Sequence, residues 1–296
     1  LGLMSGTSMD GVDASVLVTD GQKIHDFGES RFRPYTAREV EVLTAAQGLW
    51  PGSEIETLEA GLKVVQNVHA DLIGQFDNID IVGFHGQTLN HDPAKGCTFQ
   101  LGDGANLASR TGIKTAWDFR TTDMKNGGQG APLAPFFHFA CALWAGIKEP
   151  VAFLNLGGLA NVTLVNPNKV SPEIDGALLA FDTGPANAPL NDLMKTRMNQ
   201  FYDRNGALAA KGTANEFILK RIVQHPFFSQ KPPKSLDRHD FHYALDLVKK
   251  LNDADAASTL TALPAACVAA SQCHLPIQPK NWFVSGGGAQ NQIGRA

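Results

Sequence analysis

The sequence predicts an α/β protein in which one strand-turn-strand arrangement occurs twice. Residues 1–18 and 151–165 each place two apolar stretches around a turn of small residues, and helical periodicities follow both segments. Apolar side chains alternate with other residues over 12–18, as they do in a strand with one buried face. We therefore expect two related units. Whether they arose by duplication stays open at this level, because the two segments share a pattern and not residue identities.

Composition narrows the class of protein. With 43% hydrophobic residues, the 296-residue chain can build one large domain or two ordinary ones. Its net charge of −4 comes without any basic tract, so nucleic acid is not an expected partner. No apolar stretch approaches the roughly 20 residues that span a bilayer, and we expect neither a leader nor a membrane contact. The four cysteines form no CxxC pair, which predicts no zinc site and no disulfide framework and favours the cytoplasm.

The elements of the first half follow from periodicity. Apolar residues repeat every three or four positions over 53–76, and Ser53 and Glu56 have the spacing of a capping box, which together predict a helix. Residues 79–84 form a short apolar strand that runs into "HGQT". Residues 98–101 form another, which runs into "GDGAN". Both strands are predicted to end in turns.

The second half is predicted to be rich in helix. Helical patterns cover 189–201, 214–224, 240–251 and 257–273, and a strand, "NWFVS", precedes a run of glycines. Residues 121–135 contain several glycines and prolines and have no periodicity, so they form either a linker or a functional loop. We place the domain boundary beside this segment, with a first domain over 1–120 and a second over 121–296.

Three glycine turns share a chemical property. "MSGTSMDG" (4–11), "NLGGLAN" (155–161) and "SGGGAQN" (285–291) each follow an apolar strand, where free N–H groups and hydroxyls can donate to phosphate oxygens. Each turn alone is better explained as an ordinary hairpin or strand end, because glycine is the usual turn residue. The first also carries Asp10, which a hairpin does not need and which can hold Mg²⁺. Together the turns favour a nucleotide clamped between two lobes, and neither a P-loop nor a GxGxxG motif is present.

Three further groups of polar residues include candidate site residues. Asp182 in "AFDTGPAN" is either the cap of a following helix or a general base at a strand end. Arg120 in "DFRTTD" is able either to pair with a substrate carboxylate or to form a structural ion pair with Asp118 or Asp123. The histidine of "FHGQT" follows a strand, where open α/β sheets bind ligands, but a lone histidine is more often structural.

Seven motifs in sequence order resemble the anhydro-N-acetylmuramic acid kinases of bacterial cell-wall recycling. They are "GLMSGTSMDGVDA", "FHGQT", "DFR..D...GGQGAPLAP", "NLGGLANVT", "FDTGPAN", "KSLDR..F" and "SGGGAQN", and they extend from residue 2 to about 291. The resemblance implies the two-lobed, actin-like (ribonuclease H-like) ATPase fold, with mixed sheets flanked by helices. It also implies a kinase that uses ATP and Mg²⁺ to convert 1,6-anhydro-N-acetylmuramic acid and water into N-acetylmuramic acid 6-phosphate.

The resemblance also implies the roles of individual residues. Asp182 would be the catalytic base, and Asp10 would lie at the metal. Candidate substrate-binding residues are Gln87, Thr88, Arg120 and Asp123. Candidate nucleotide-binding residues are Gly6, Thr7, Ser8, Met9, Asp10, Gly11, Val12, Asp13, Asn155, Gly157, Gly158, Asn161, Gly286, Gly287 and Gly288.

Three expectations complete the sequence-based hypothesis. Members of the family continue past the last glycine turn with a segment that returns to the first lobe, whereas this chain ends at Ala296. A homodimer is compatible with the sequence. The alternatives to the anhydro sugar kinase are an ordinary sugar kinase of the same fold and a regulator that binds ATP and sugar without turnover.

Overall fold

The computed structural model describes residues 1–236 and 240–291, so part of the "KSLDR..F" motif lies outside the described residues. Its contacts divide the chain into two compact units, Leu1–Leu133 and Ala134–Ala296. The sequence predicts a division after residue 120. The glycine-rich segment groups with the first unit because Arg120 Nη1 donates to the Gly130 carbonyl (2.6 Å) and the Gly130 N–H donates to Asp123 (2.7 Å).

The first unit consists of one mixed sheet and five helices. Its elements are β1 (Gly2–Ser5), β2 (Gly11–Thr19), β3 (Ile24–Pro34), α1 (Ala37–Ala46), α2 (Ile55–Ile73), β4 (Ile81–Asp92), β5 (Cys97–Leu101), α3 (Gly104–Thr111), β6 (Lys114–Trp117) and α4 (Thr121–Lys125). Strands β3, β2 and β1 are antiparallel neighbours, β4 runs parallel to β1, and β6 runs parallel to β4. Strand β5 pairs antiparallel with the second half of β4. Apolar residues of α2, including Val65, Val68 and Leu72, are buried in the core of this unit. The fifth helix of this unit is a short 3₁₀ helix, Pro93–Lys95, between β4 and β5.

The second unit repeats this strand order. Its elements are α5 (Ala134–Trp144), β7 (Val151–Leu156), β8 (Leu159–Val165), β9 (Leu178–Pro185), α6 (Asn187–Leu193), α7 (Glu216–Val223), α8 (Tyr243–Val248), α9 (Asp253–Ser271) and β10 (Asn281–Ser285). Strands β7, β8 and β9 are antiparallel neighbours, and β10 runs parallel to β7. In both units three antiparallel strands are followed, after helices, by a strand parallel to the first. The α/β class with mixed sheets is thus confirmed, and the order is that of the βββαβα core expected for an actin-like ATPase.

Two local predictions are wrong. Ser53 does not cap α2, because its Oγ donates to the Trp50 carbonyl (2.7 Å) and the helix begins one residue after Glu54, which makes no side-chain cap. The motif "HGQT" is not a turn, since β4 continues through it to Asp92. Pairing with β5 extends the strand. The second half of β4 is polar, so apolar alternation does not indicate this extension.

Within residues 1–236 and 240–291, no helix is both long enough and apolar enough to cross a membrane.

Candidate functional site

The first glycine turn joins β1 to β2 and leaves several donors free. A hydrogen bond from the Met9 N–H to the Gly6 carbonyl (3.1 Å) closes it, and the Met9 side chain is buried beneath. The N–H groups of Gly6, Thr7 and Ser8 have no acceptor in the part of the chain that the structure describes. Consecutive backbone N–H groups without an acceptor can donate to an anion.

The space around Gly6 shows whether folding or ligand binding requires a glycine in this turn. A Cβ built on Gly6 would meet Ser8 Oγ at 3.5 Å, an ordinary contact, and the residue does not need the left-handed backbone region. Folding therefore does not require a glycine here. A ligand that approaches the backbone closely does require one.

The acidic residues beside this turn fit a magnesium ion. Asp10 is exposed, and its Oδ1 accepts a hydrogen bond from Ser8 Oγ (2.8 Å). Asp13 is close enough that partial burial and the charge of Asp10 together raise the pKa of its carboxyl above the ordinary value. Mg²⁺ commonly uses one or two protein carboxylates together with water and phosphate oxygens, and this pair supplies that donor set.

Gln87 supports the turn from beneath. Its Oε1 accepts a hydrogen bond from Ser5 Oγ, and its Nε2 donates to the Gly6 carbonyl (3.2 Å). Tyr35 contacts the same Ser5 hydroxyl (2.9 Å). Gln87 and Ser5 are buried, so the structure places Gln87 under the phosphate turn, on a strand that pairs with β1. Thr88 instead accepts a hydrogen bond from Gln100 Nε2 (3.3 Å) at the partly exposed face between β4 and β5.

Arg120 is held by neutral groups. Its Nε and Nη2 both donate to His85 Nε2 (3.1 and 3.0 Å), and its Nη1 donates to Gly130. His85 Nδ1 lies 2.9 Å from the Gly86 carbonyl, so the neutral tautomer protonated on Nδ1 is the one that satisfies both contacts. Burial and then the Arg120 charge lower the pKa of His85 below its ordinary value.

No carboxylate pairs with Arg120 among the described residues. Asp123 accepts the Gly130 N–H, and Asp118 accepts from the Thr121 hydroxyl, so the structural ion pair left open by the sequence is not formed. Burial lowers the pKa of the guanidinium. Arg120 is therefore a half-buried cation with no acidic partner among the described residues, and such a group can receive an anionic group of a ligand.

The second glycine turn, between β7 and β8, is fastened by main-chain hydrogen bonds. The N–H groups of Ala186 and Ala188 both donate to the Gly158 carbonyl (3.0 and 3.1 Å), and that of Asn187 donates to Gly157 (3.0 Å). The turn is therefore tied to the first residues of α6. The Gly158 N–H has no acceptor in the described ranges, and a Cβ there would meet only the Ala188 Cβ at 3.7 Å.

The third glycine turn follows β10 and lies against the second. Gly286 has a φ of +82°, and a Cβ there would come within 2.6 Å of Asn155 Oδ1 and 2.7 Å of the Leu156 carbonyl. A Cβ on Gly288 would come within 2.7 Å of the Leu156 Cβ. Because β7 and β10 are parallel neighbours, their ends meet, and the structure brings two of the three predicted nucleotide turns together. Asn161 faces Asn155 in the register of β7 and β8.

Asp182 lies inside β9 and does not cap α6, which begins five residues later at Asn187. Its N–H donates to the Lys234 carbonyl (3.1 Å), and its Oδ2 accepts the Leu236 N–H (2.9 Å). Oδ1 has no hydrogen-bond partner among residues 1–236 and 240–291. Burial raises the pKa of the Asp182 carboxyl, and the bond from Leu236 partly opposes that rise. One oxygen is thus fixed, and the other is free to accept a proton.

Sequence reasoning missed the groups that hold these residues. Tyr35, His85 as the partner of Arg120, and the backbone of 234–236 all act through contacts between segments distant in sequence. For residues 234–236 the sequence offered a signal, since they belong to the motif "KSLDR..F", to which no role had been assigned.

Comparison with known proteins identifies the family. The family model described as anhydro-N-acetylmuramic acid kinase matches residues 1–294. The kinase of that name from Roseobacter denitrificans is 51% identical over 293 residues, which cover 99% of this chain and 77% of that protein. The one from Cereibacter sphaeroides is 53% identical, with coverage of 99% and 78%. Among solved structures, component A of the Acidaminococcus fermentans (R)-2-hydroxyglutaryl-CoA dehydratase is similar at a TM-score of 0.41 and 14% identity, covering 99% of this chain and 85% of that one. The chain belongs to the anhydro-N-acetylmuramic acid kinase family.

Proposed function

We propose that this phosphotransferase converts 1,6-anhydro-N-acetylmuramic acid, ATP and water into N-acetylmuramic acid 6-phosphate and ADP. Water attacks C1, the bond from C1 to O6 breaks, and O6 takes the γ-phosphoryl group of ATP. The reaction is a cytoplasmic step of carbohydrate metabolism in peptidoglycan recycling. The observation that carries the proposal is Asp182, a buried carboxylate with one anchored and one free oxygen.

Asp182 acts as the base for the attacking water. Its free Oδ1 accepts the proton as the oxygen of water bonds to C1, while the Leu236 N–H keeps the carboxylate from rotating. Burial raises the pKa of the acid that forms, which makes the carboxylate a stronger base than an exposed aspartate. The alkoxide that leaves at O6 needs no separate acid, because phosphorylation removes its charge.

The glycine turns hold the nucleotide. Free N–H groups at Gly6, Thr7, Ser8 and Gly158 donate to phosphate oxygens, and the turn at Gly286–Gly288 lies beside the adenosine. Asp10, with Asp13 nearby, holds Mg²⁺, which when bound neutralises phosphate charge. Donors fixed before the reaction stabilise the charge that develops in phosphoryl transfer without further reorganisation.

Arg120 binds the lactyl carboxylate of the sugar. The two hydrogen bonds to His85 orient the guanidinium plane, and the absence of an acidic partner among the described residues leaves its remaining N–H groups available. A planar guanidinium suits two-point recognition of a carboxylate. Thr88 offers a hydroxyl to the polar atoms of the same substrate.

The test combines Asp182→Asn with labelled water. We expect turnover of the anhydro sugar with ATP to fall by about 100-fold or more, the scale of a general base, while nucleotide affinity is retained. Asp175→Asn, a change at an exposed aspartate of the same unit, is the matched control and should turn over normally.

The wild-type product formed in ¹⁸O-labelled water should carry the label at C1. Product incubated alone in labelled water measures exchange by mutarotation. Turnover of free sugars but not of the anhydro sugar would indicate an ordinary sugar kinase, and ATP binding without any turnover would indicate a regulator. Near-normal turnover by Asp182→Asn would assign the base elsewhere.

A further inference from the structure

Lys234 is a buried lysine that the proposed reaction does not use. Its side chain belongs to a residue only 8% exposed, and its Nζ donates to the Phe227 carbonyl (3.1 Å). The ammonium also lies over two aromatic rings, 4.4 Å from the centre of Phe227 and 5.6 Å from that of Phe181. No carboxylate pairs with it in the described part of the chain, so its partners are a carbonyl and two π faces. Burying a cation in this way is costly and is not needed to fill space.

The same residue belongs to the segment that holds the base. The Lys234 carbonyl accepts the Asp182 N–H (3.1 Å), and two residues later the Leu236 N–H donates to Asp182 Oδ2 (2.9 Å). Residues 234–236 therefore contact Asp182 at both its backbone and its carboxylate. No helix or strand covers this segment, so main-chain hydrogen bonds of regular structure do not fix it. The Lys234 side chain supplies a polar anchor for this segment, beside the packing of the Leu236 side chain against the core of the second unit.

We propose that Lys234 is a positioning residue whose buried ammonium anchors residues 234–236 to Phe227 and Phe181 and thereby holds the carboxylate of Asp182. This inference rests on the proposed role of Asp182 as the base. The ammonium acts through the backbone, because it makes no ion pair with Asp182. It ties the segment to β9 through the ring of Phe181, the residue next to the base.

The anchor has a consequence for pH dependence. The Leu236 hydrogen bond stabilises the ionised carboxylate, so it opposes the rise in the Asp182 pKa that burial causes. If the segment loosens, that opposition is lost and the pKa rises further. Activity requires the ionised base, so the acid limb of the rate profile then moves to higher pH.

Other titratable groups near β9 do not take over the effect of the Leu236 hydrogen bond on the pKa of Asp182. None of those described lies within hydrogen-bond distance of the Asp182 carboxylate. The titratable groups on the elements that pack against β9 and around Lys234 are His138 and Cys141 of α5, Asp253, Asp255 and Cys267 of α9, and Cys273 and His274 just after α9.

The experiment compares Lys234→Met with Lys231→Met in the full chain. Methionine keeps the length of the side chain and removes the charge and the donor, and replacing a buried charge by an apolar group of similar volume often leaves folding intact. Lys231 lies in the same segment but is exposed, which makes it the matched control. The measurements are kcat and KM for each substrate against pH, together with the melting temperature.

We expect Lys234→Met to lower kcat by about tenfold at neutral pH and to move the acid limb of kcat/KM up by about 1 pH unit, with the KM for ATP unchanged. Lys234→Arg should restore the limb, since arginine can also donate to the Phe227 carbonyl and lie over its ring. Lys231→Met should match the wild type. Replacing the Leu236 amide by an ester removes the N–H directly and should produce the same shift.

A limb that stays in place in Lys234→Met overturns the inference, even if kcat falls at every pH, because a purely structural defect has that signature. If the ester at Leu236 shifts the acid limb of kcat/KM and Lys234→Met does not, the backbone alone positions the Asp182 carboxylate. Failure of the proposed function is distinguishable, because it appears as normal turnover in Asp182→Asn.

Discussion

The two strand-turn-strand units have the same topology but support their turns by different means. In the first unit the turn after β1 rests on side chains, with Gln87, Ser5 and Tyr35 in one buried network. In the second unit the turn after β7 is tied to α6 by main-chain hydrogen bonds to Gly157 and Gly158. The first arrangement depends on residue identity. The second depends mainly on backbone geometry, with a side-chain contribution from Asn187, whose Nδ2 donates to the Leu156 carbonyl (3.0 Å).

The largest expected effect comes from changing the backbone geometry of the second unit. Gly286→Ala places a Cβ against Asn155 and Leu156 in a backbone region unfavourable to L-residues, so we expect the free energy of unfolding to fall by about 2–4 kcal/mol. Chemical denaturation measures this loss. Gly287→Ala is the control, because its Cβ would meet only Asn187 Nδ2 at 3.9 Å. Equal stability of the two variants would contradict the close packing of the two turns.

The network of the first unit is tested by Gln87→Leu. The change removes two buried hydrogen bonds, one to the Ser5 hydroxyl and one to the Gly6 carbonyl, which should lower the free energy of unfolding by about 1–3 kcal/mol. Among the described residues, the hydroxyl then keeps only Tyr35 as a partner, and the carbonyl keeps only the Met9 N–H. We also expect the KM for ATP to rise, since the Gly6 turn loses its support. Gln22→Leu, at an exposed position, controls for the change in composition. Wild-type stability in Gln87→Leu would show that side chains do not hold this turn.

The two turns are expected to respond alike where both contact phosphate. A Cβ fits at Gly6 and at Gly158, so Gly6→Ala and Gly158→Ala should each change the free energy of unfolding by only about 0.5 kcal/mol. Each should nevertheless raise the KM for ATP by roughly tenfold, equivalent to about 1.4 kcal/mol, because the methyl group blocks close approach of the anion. Unchanged ATP kinetics in either variant would reduce that turn to an ordinary hairpin.

A side chain that accepts a hydrogen bond can change its protonation state with pH, whereas a main-chain carbonyl cannot. Burial and the Arg120 charge keep the pKa of His85 low, so the imidazole is neutral and accepts from Arg120 at neutral pH. As pH falls through that pKa, the proton removes the acceptor and repels the guanidinium, and the KM for the anhydro sugar should rise. In His85→Gln, whose amide oxygen accepts without titrating, this rise should be absent. A pH-dependent KM that persists in His85→Gln would assign the titration to another group.

Much of the fold could be predicted because it depends on local patterns. The alternation over 12–18 and the apolar stretches around "GG" at 157–158 correctly predicted β2, β7 and β8. The helix predicted over 53–76 is α2, which spans Ile55–Ile73 and starts later than predicted because Ser53 bonds to Trp50 instead of capping it. By contrast, β4 extends through "HGQT" because β5 pairs with it, and a partner strand is not visible in local alternation.

The sequence by itself determined the motifs, the family and the chemical types of the candidate residues, since each of these depends on which side chains the chain carries and in what order. Only the tertiary structure decided that Gln87 lies under a turn, that Arg120 faces a histidine instead of an aspartate, and that residues 234–236 hold Asp182. These contacts join residues that are 35 to 81 positions apart. Hydrogen bonds at such separations are fixed by how strands and loops pack, so they have no signature in local sequence.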